Sequence, residues 1–309
     1  MKKDQPKNLV VSVHNRLVNY ARQTGTEAQL VFMRYGLERL LYRLSRSEYA
    51  DQFVVKGALL FWVWTGDQYR PTKDLDLMTA RVRSAEQLAT IFMKLCTEPV
   101  EAEDGLVFLA LSVKAEEIRE EDVYGGMRVT LEARLGRAKI PLQVDIGFGD
   151  AITPKAAVAE FPALLAMSAP RLAMYPKETV VAEKFETMVK LGLPNSRMRD
   201  YFDLWVLARD FAFTGETLTA AIRATFKRRR TALPADVPFG LSDEFAADAG
   251  KQTQWRGFVK RSGLQLKDTD LAAIVSALRD FVIPPTVAAR AGTPFPQQWP
   301  KGGPWTAGS

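Results

Sequence analysis

Two aspartates separated by a single residue are the clearest sign of chemistry in this sequence. Asp74 and Asp76 lie in an apolar run with Leu75 and Leu77, so a β-strand would carry both carboxylates on one face, roughly 7 Å apart. Two like charges side by side are unfavourable unless a cation lies between them. Mg2+ takes oxygen ligands of this kind, and paired acids hold such ions in phosphoryl and nucleotidyl transfer. The alternative is an exposed strand edge whose leucines point inward.

The segment before these aspartates is rich in groups that bind phosphate. Gly66 and Pro71 predict a turn. Arg70, Thr72 and Lys73 flank Pro71 and supply hydrogen-bond donors at the start of the strand. These residues favour an anion-binding site beside the carboxylate pair.

Asp145 is a candidate third carboxylate. It lies in a second strand-like run, where we expect it to face away from its apolar neighbours Val144 and Ile146. On a strand beside the first pair, it could complete a metal site and accept the proton of an attacking hydroxyl. The alternative is a strand-end aspartate that begins the glycine-containing turn at 147–149.

A helix is predicted over residues 177–191, because Pro176 precedes it and Gly192 follows it. Lys184 lies on the polar flank of this helix, next to Glu183. Taken alone, Lys184 is a surface lysine whose stem covers apolar surface while its ammonium reaches water.

The next predicted helix brings Asp200 and Asp203 onto one face, because they are three residues apart. The Asn195-Ser196 pair is expected to cap this helix. Arg197 and Arg199 stand near its first turn, where the helix dipole disfavours cations. We therefore expect one of these arginines to serve an anion or one of the aspartates.

Composition limits the classes of protein and of site. The 309 residues suffice for one or two domains, and no apolar run approaches the roughly 18 residues of a membrane span. The N-terminal segment lacks the apolar core of a signal peptide, so we expect a cytoplasmic protein with no membrane contact. A single cysteine, Cys96, and a single histidine, His14, exclude a thiolate zinc site and a histidine-based triad. Any catalysis must use carboxylates, lysine and arginine.

The charge of the chain suggests a polyanionic partner. The net charge is +6 with a pI near 9.3, and the run Lys227-Arg228-Arg229-Arg230 concentrates four cations. This run is either a solvated helix end, favoured by the helix dipole, or a contact for RNA or DNA phosphates.

The hydrophobic pattern predicts an α/β (α+β) fold in which a mixed β-sheet core with flanking helices is followed by a helical C-terminal lobe. We expect the domains to cover residues 1–165 and 166–309 and to share one cleft. The tail after Pro284-Pro285 is expected to be an extended strap or partly disordered. The predicted helices cover 8–24, 27–45, 58–65, a segment opened by Ser84, 177–191, 199–212, 215–230, 243–262 and 268–282. The predicted strands cover 53–57, the Asp74–Asp76 segment, 106–113, 127–135 and 140–146.

In this order the motifs resemble the AbiEii/AbiGii-type toxins, also called MenT-type nucleotidyltransferase toxins, of the DNA polymerase β-like nucleotidyltransferase superfamily. The resemblance spans most of the chain. It is carried by Lys56-Gly57, Arg70-x-Thr72-x-Asp74-x-Asp76, Asp145 with Phe148-Gly149-Asp150, Glu183-Lys184, Asn195 to Asp200 with Asp203-Leu204, Gln254-Trp255, and Phe281 to Pro284.

The resemblance implies a nucleotidyltransferase fold with a helical C-terminal lobe, and transfer of nucleotides from an NTP with Mg2+. Some members act on the 3′ end of tRNA and so block translation, and a companion antitoxin usually neutralises them. Carried onto this sequence, Asp74 and Asp76 would bind metal, Lys184 would contact the triphosphate, and Asp200 or Asp203 would complete the site. Asp145 is predicted as a third metal ligand from its position in a strand-like run together with the superfamily pattern. The predicted substrate-binding residues are Lys56, Gly57, Arg70, Thr72, Arg197 and Arg199.

One departure from the superfamily pattern weakens the expected phosphate loop. Members usually carry Gly-Ser before the acids, whereas here Ala58 follows Gly57 and Asp67 follows Gly66. Backbone amides still bind phosphate, but a hydroxyl donor is missing. The alternatives are therefore a catalytically weakened nucleotide- or RNA-binding module, or a transferase that modifies a protein partner. No feature of the sequence requires more than one copy of the chain, so we expect a monomer.

Overall fold

The computed structural model describes residues 9–66, 69–82, 84–118, 125–264, 266 and 270–308. The chain forms two compact units. The first comprises residues 1–149 and 157–174, and the second comprises residues 150–156 and 175–309. The predicted division into domains at 165 and 166 stays a prediction, because compactness alone does not test which segments fold independently.

The described residues of the first unit form four helices, and each of them buries apolar side chains. The amphipathic patterns expected at 8–24 and 27–45 form helices with nearly those bounds, and Ser84 caps the fourth helix by accepting a hydrogen bond from the Gln87 backbone N–H at 3.2 Å. The helices are α1 (Leu9–Thr24), α2 (Ala28–Arg46), α3 (Leu60–Thr65) and α4 (Ala85–Thr97).

Within the part of the chain that the structure describes, a mixed sheet of eight strands forms the core of the first unit. The order is β3-β5-β6-β2-β1-β8-β7, and β4 also pairs with β5. The pairs β2–β6 and β1–β8 are parallel, whereas the other pairs are antiparallel. The strands are β1 (Val54–Lys56), β2 (Asp74–Thr79), β3 (Val107–Phe108), β4 (Lys114–Ile118), β5 (Gly126–Leu135), β6 (Ala138–Phe148), β7 (Ala157–Glu160) and β8 (Arg171–Met174). This architecture confirms the predicted mixed α/β class.

The strand predicted over 106–113 is wrong for most of its length. Only Val107–Phe108 is strand, and a 3-10 turn follows at Ala110–Ser112. Leu106 and Phe108 are buried whereas Leu111 is fully exposed, so only the first part of this apolar run packs against the core. The pattern also gave no sign of β4, β7 or β8: β4 and β7 have no buried residue, and β8 is only four residues long.

The described residues of the second unit form six helices: α5 (Lys177–Leu191), α6 (Met198–Asp210), α7 (Gly215–Arg229), α8 (Asp243–Ala247), α9 (Ala249–Arg261) and α10 (Leu271–Ala291). The single helix predicted over 243–262 is wrong. It is broken at Asp248, whose carboxylate accepts a hydrogen bond from the Lys251 backbone N–H at 2.8 Å and so begins a new helix. The start of the helix predicted at 268 lies outside the described residues.

The last helix and the tail also differ from expectation. Pro284 and Pro285 lie inside α10 rather than ending it. Proline lacks a backbone N–H, so Pro285 leaves the Phe281 carbonyl without its helical donor. The indole Nε1–H of Trp305 donates to that carbonyl at 2.9 Å.

The described part of the tail is not the extended or partly disordered segment that the sequence predicts. It folds back as β10 (Gln297–Trp299) and β11 (Thr306–Ala307), and β10 pairs with β9 (Phe213–Thr214). Trp299 is buried and its indole donates to the Ala208 carbonyl at 2.7 Å. The tail therefore supplies hydrogen-bond donors to two helices of the second unit.

One helix among the described residues, α10, meets the length and composition of a membrane span. Half of its most apolar window is buried inside the structure, as expected for a helix at the centre of a helical unit. Length and composition alone are weak evidence for a membrane contact.

Candidate active site

The two aspartates of β2 lie on the polar face of the sheet, as the spacing predicts. Asp74 and Asp76 are half-buried, whereas Leu75 and Leu77 between and after them are almost fully buried on the opposite face. The interpretation as a strand edge is therefore wrong, because β2 lies between β1 and β6.

Strand register places a row of charged residues across this face. Lys56 on β1 is opposite Asp76, Asp76 is opposite Asp145 on β6, and Asp145 is opposite Arg128 on β5. Neighbouring strands lie about 4.8 Å apart. The row therefore has two acids at its centre and one cation at each end, and it confirms that Asp145 lies on a strand beside β2.

Gly57 fits directly against the carboxylate of Asp76. Its backbone is left-handed, with φ of 79°, and a Cβ added there would lie 1.9 Å from Asp76 Oδ2 and 2.7 Å from Asp76 Cβ. No residue with a side chain fits this position without moving β2 or the turn. The sequence analysis predicted Gly57 as a substrate-binding residue, but the sequence gave no sign of this close approach.

Asp145 is bound on both oxygens by protein groups. Arg128 donates from Nε to Oδ1 and from Nη2 to Oδ2, each at 2.8 Å. Gln143 Nε2 donates to the same two oxygens at 3.2 and 3.3 Å. Sequence reasoning missed Arg128, because its pairing with Asp145 across two strands cannot be derived from spacing along the chain.

The acids also stabilise the charged form of Arg128. Its pKa is raised above the ordinary value by the hydrogen bonds with Asp145, and Asp74 and Glu116 add to this effect.

Within the described residues, no group of three or more His, Cys, Asp or Glu side chains is arranged to hold a metal ion. The three predicted metal ligands therefore do not form a ready-made cage.

A pair of carboxylates nevertheless fits Mg2+. This ion is usually held by one or two protein carboxylates, with water and substrate phosphates completing its shell. Asp74 and Asp76 share a face of one strand, and the backbone of Gly57 packs against the Asp76 carboxylate where any side chain would displace it. The donor set is thus the hard-oxygen kind that this ion requires.

The second unit holds a cluster of one lysine and two aspartates. Lys184 Nζ lies 2.6 Å from Asp200 Oδ1 and 2.9 Å from Asp203 Oδ2. The lysine side chain is only 16% exposed, and the aspartates are 9% and 2% exposed. The interpretation of Lys184 as a surface lysine is therefore wrong. Because its ammonium is fixed by two carboxylates, it is a positioned charge.

The arginines near α6 occupy different positions. Arg197 is the N-cap residue of α6, and its backbone N–H donates to Asn195 Oδ1 at 2.9 Å. The expectation that Asn195-Ser196 itself caps α6 is therefore wrong by one or two residues. Arg199 is exposed in the first turn.

The loop before β2 is described only in part. Arg70 and Thr72 are half-buried, and the Thr72 hydroxyl donates weakly to the Asp74 carbonyl at 3.4 Å. Asp67, which follows Gly66 in this loop, lies outside the described residues.

The basic run at the end of α7 divides into buried and exposed residues. Arg229 is 11% exposed, with its guanidinium 2.9 Å from Glu186, 3.3 Å from Asp150 and 3.3 Å from Glu183. Burial alone would lower the pKa of Arg229, but the three carboxylates raise it above its ordinary value. Lys227, Arg228 and Arg230 are exposed. Arg229 is thus structural, and the exposed cations remain candidates for phosphate contact.

Comparison with known proteins identifies the family. The family model described as "Nucleotidyl transferase AbiEii toxin, Type IV TA system" matches residues 39–280. The chain belongs to this AbiEii family. The matched range includes every candidate residue named above, from Lys56 to Arg230.

Two solved structures from Helicobacter pylori are similar to this AbiEii protein. JHP933 is 14% identical, with a TM-score of 0.47, and the match covers 86% of this chain and 94% of that one. A second H. pylori protein, described as a nucleotidyltransferase candidate, is 14% identical with a TM-score of 0.45 and coverage of 86% and 96%. A search of curated proteins found no significant match.

Proposed function

We propose that this AbiEii protein is an Mg2+-dependent transferase that adds nucleotides from an NTP to an RNA acceptor, the 3′ end of tRNA, and thereby blocks translation. In this reaction the RNA hydroxyl oxygen bonds to the α-phosphorus of the NTP. The bond from that phosphorus to the bridging oxygen breaks, pyrophosphate leaves, and the hydroxyl proton is released. The observation that carries the proposal is the pair Asp74 and Asp76 on one face of β2, with Lys56 beside Asp76.

In this proposal, residues of the first unit bind Mg2+ and orient the phosphate groups of the nucleotide. Asp74 and Asp76 would hold Mg2+, which supplies positive charge to the phosphate oxygens and to the reacting hydroxyl. Lys56 adds a fixed cation on the next strand. Arg70 and Thr72 are proposed to contact phosphate at the start of β2, and Gly57 keeps Asp76 in place. Asp145 as a third metal ligand stays a prediction.

The residues of the second unit are assigned by family resemblance together with their own geometry. Lys184 is proposed to contact the triphosphate, and Asp200 and Asp203 hold its ammonium at 2.6 and 2.9 Å. A fixed ammonium stabilises charge on the leaving pyrophosphate without reorganisation. Arg197 and Arg199 are proposed as additional anion contacts.

An RNA acceptor is supported by the charge distribution. The second unit contains twenty basic and fifteen acidic residues, a net charge of +5 out of the +6 of the whole chain. Lys227, Arg228 and Arg230 lie exposed on this unit. RNA binding draws largely on such cations.

We also propose that the protein acts as a cytoplasmic monomer and that a cognate antitoxin neutralises it.

The direct test is incubation of the purified protein with total RNA and each α-labelled NTP in turn. We expect one NTP to label RNA, and the label to disappear with EDTA or in Asp76→Asn. The matched control is Asp51→Asn, which removes an exposed carboxylate paired with Arg81. Full labelling by Asp76→Asn would contradict the proposed metal site.

A second candidate function is nucleotide or RNA binding without transfer. It is favoured by Ala58, which stands where superfamily members carry the loop serine. NTP binding in calorimetry with no label in RNA or protein would support it. Label in a co-expressed protein partner, with none in RNA, would instead identify a protein acceptor.

A further inference from the structure

Arg128 is held on the polar face with part of its guanidinium available. The parallel hydrogen bonds with Asp145 use Nε and Nη2. The Nη1 group makes no hydrogen bond to any described residue, and the side chain is 34% exposed. An arginine carries five N–H donors in a rigid plane. The edge formed by Nη1 is therefore free to bind an anion.

The carboxylate of Asp145 is already supplied with donors. An ionised carboxylate offers about four lone-pair sites. Arg128 contributes two hydrogen bonds, and the Gln143 amide lies within 3.3 Å of both oxygens. A metal ion at Asp145 would have to displace part of this set. The geometry is that of a carboxylate orienting an arginine.

The position of Arg128 relates it to the acidic pair. In the row across the sheet, Lys56 lies on one side of Asp76, while Asp145 and then Arg128 lie on the other. Arg128 is also close enough to Asp74 for that carboxylate to raise its pKa. A polyphosphate bound at Asp74 and Asp76 through a metal ion would thus have a fixed cation on either side.

We propose that Arg128 binds the polyphosphate of the nucleotide, and that Asp145 and Gln143 are positioning residues that hold its guanidinium rather than metal ligands. This assignment rests on the proposed nucleotidyltransferase function. Arginine suits the role because its planar fork binds a carboxylate on one edge and phosphate on another. A guanidinium that is already oriented loses little further freedom on binding.

The first test measures the binding of inorganic tripolyphosphate with Mg2+ by calorimetry. We expect Arg128→Gln to weaken the affinity about tenfold, because one charge-assisted hydrogen-bond group is lost. Arg128→Lys should lie between Arg128→Gln and the wild type, since it keeps the charge without the fork. The control is Arg134→Gln, which removes an exposed, ion-paired arginine from the same strand.

The outcomes separate this assignment from the proposed function. If the wild-type protein does not bind tripolyphosphate, the proposed function fails. If the wild type binds and Arg128→Gln binds within about twofold of it, the role of Arg128 is overturned.

The second test uses Mn2+ binding, measured by electron paramagnetic resonance without nucleotide. We expect Asp145→Asn to bind Mn2+ within about twofold of the wild type, whereas Asp76→Asn loses binding. If Asp145→Asn loses Mn2+ as Asp76→Asn does, Asp145 is a metal ligand and the assignment is wrong. If Asp145→Asn does not fold, the double variant Arg128→Gln with Asp145→Asn serves instead, because removing both partners avoids an unpaired charge.

Discussion

Gly57→Ala is the substitution that tests the geometry of the site most sharply. The new Cβ would lie 1.9 Å from Asp76 Oδ2, 2.6 Å from Cγ and 2.7 Å from Cβ. Because the Asp76 Cβ is fixed to the strand backbone, rotating the carboxylate does not relieve the contact. The turn or β2 must move, and overpacking of this kind costs about 1–3 kcal/mol. The left-handed backbone at φ of 79° adds about 1–2 kcal/mol.

Gly66→Ala is the matched control. Gly66 has nearly the same φ, 77°, but a Cβ there meets nothing within 4 Å. We expect urea unfolding, followed by tryptophan fluorescence, to show a loss of about 1–2 kcal/mol for Gly66→Ala and of about 2–5 kcal/mol for Gly57→Ala. Only Gly57→Ala should lose nucleotide transfer, since it displaces Asp76. Equal losses of stability, with wild-type transfer in both variants, would refute the close packing of Gly57 on Asp76.

Three further predictions concern other parts of the chain. Trp305→Phe keeps an aromatic ring but removes the donor to the Phe281 carbonyl, so we expect the free energy of unfolding in urea to fall by about 1–3 kcal/mol; an unchanged value would contradict this role. Burial raises the pKa of the Cys96 thiol to about 11, so the folded state keeps a proton that the unfolded state loses above its ordinary value of 9.0. The free energy of unfolding should therefore fall as pH rises from 9 to 11, with a smaller slope in Cys96→Ala; identical slopes would contradict the shift. Lys184→Met should cost about 3–5 kcal/mol, because it leaves Asp200 and Asp203 buried without their shared cation, and Lys184→Arg should cost less in the same urea assay; equal losses would argue against the ion pairs.

Local signals in the sequence predicted the parts of the fold that depend on neighbouring residues. The helices α5 and α7 begin and end close to the predicted residues, because a proline, a glycine and the helical period are all local features. The alternation around Asp74 and Asp76 likewise predicted their common face. Such signals act within a few residues and need no tertiary contact.

Features that depend on distant residues were missed or misjudged. Arg128 meets Asp145 only because β5 and β6 pair in one register, and nothing in the local sequence fixes that register. Pro285 of α10 is accommodated because Trp305, twenty residues further along, donates to the Phe281 carbonyl that lacks a helical partner. The apolar run at 106–113 resembled a buried strand, but tertiary packing leaves Leu111 in solvent.

Arg229 shows how one short motif can contain residues in two different environments. The sequence presents four consecutive cations, which suggest one solvated or phosphate-binding surface. In the structure, Arg229 faces three carboxylates while its neighbours are exposed. Consecutive residues of an α-helix are rotated by about 100° around its axis. Arg229 therefore points to the three carboxylates while its neighbours in the run point elsewhere.

The central claim is that the carboxylates of β2 hold a divalent cation. The most direct measurement is a Mn2+ titration, followed by electron paramagnetic resonance, of the wild type, Asp74→Asn and Asp76→Asn, with Asp51→Asn as the control. We predict that the wild type and Asp51→Asn bind Mn2+ alike and that each β2 variant loses at least about tenfold in affinity, because half of the protein ligand set is removed. Equal Mn2+ affinity in all four proteins would contradict the account.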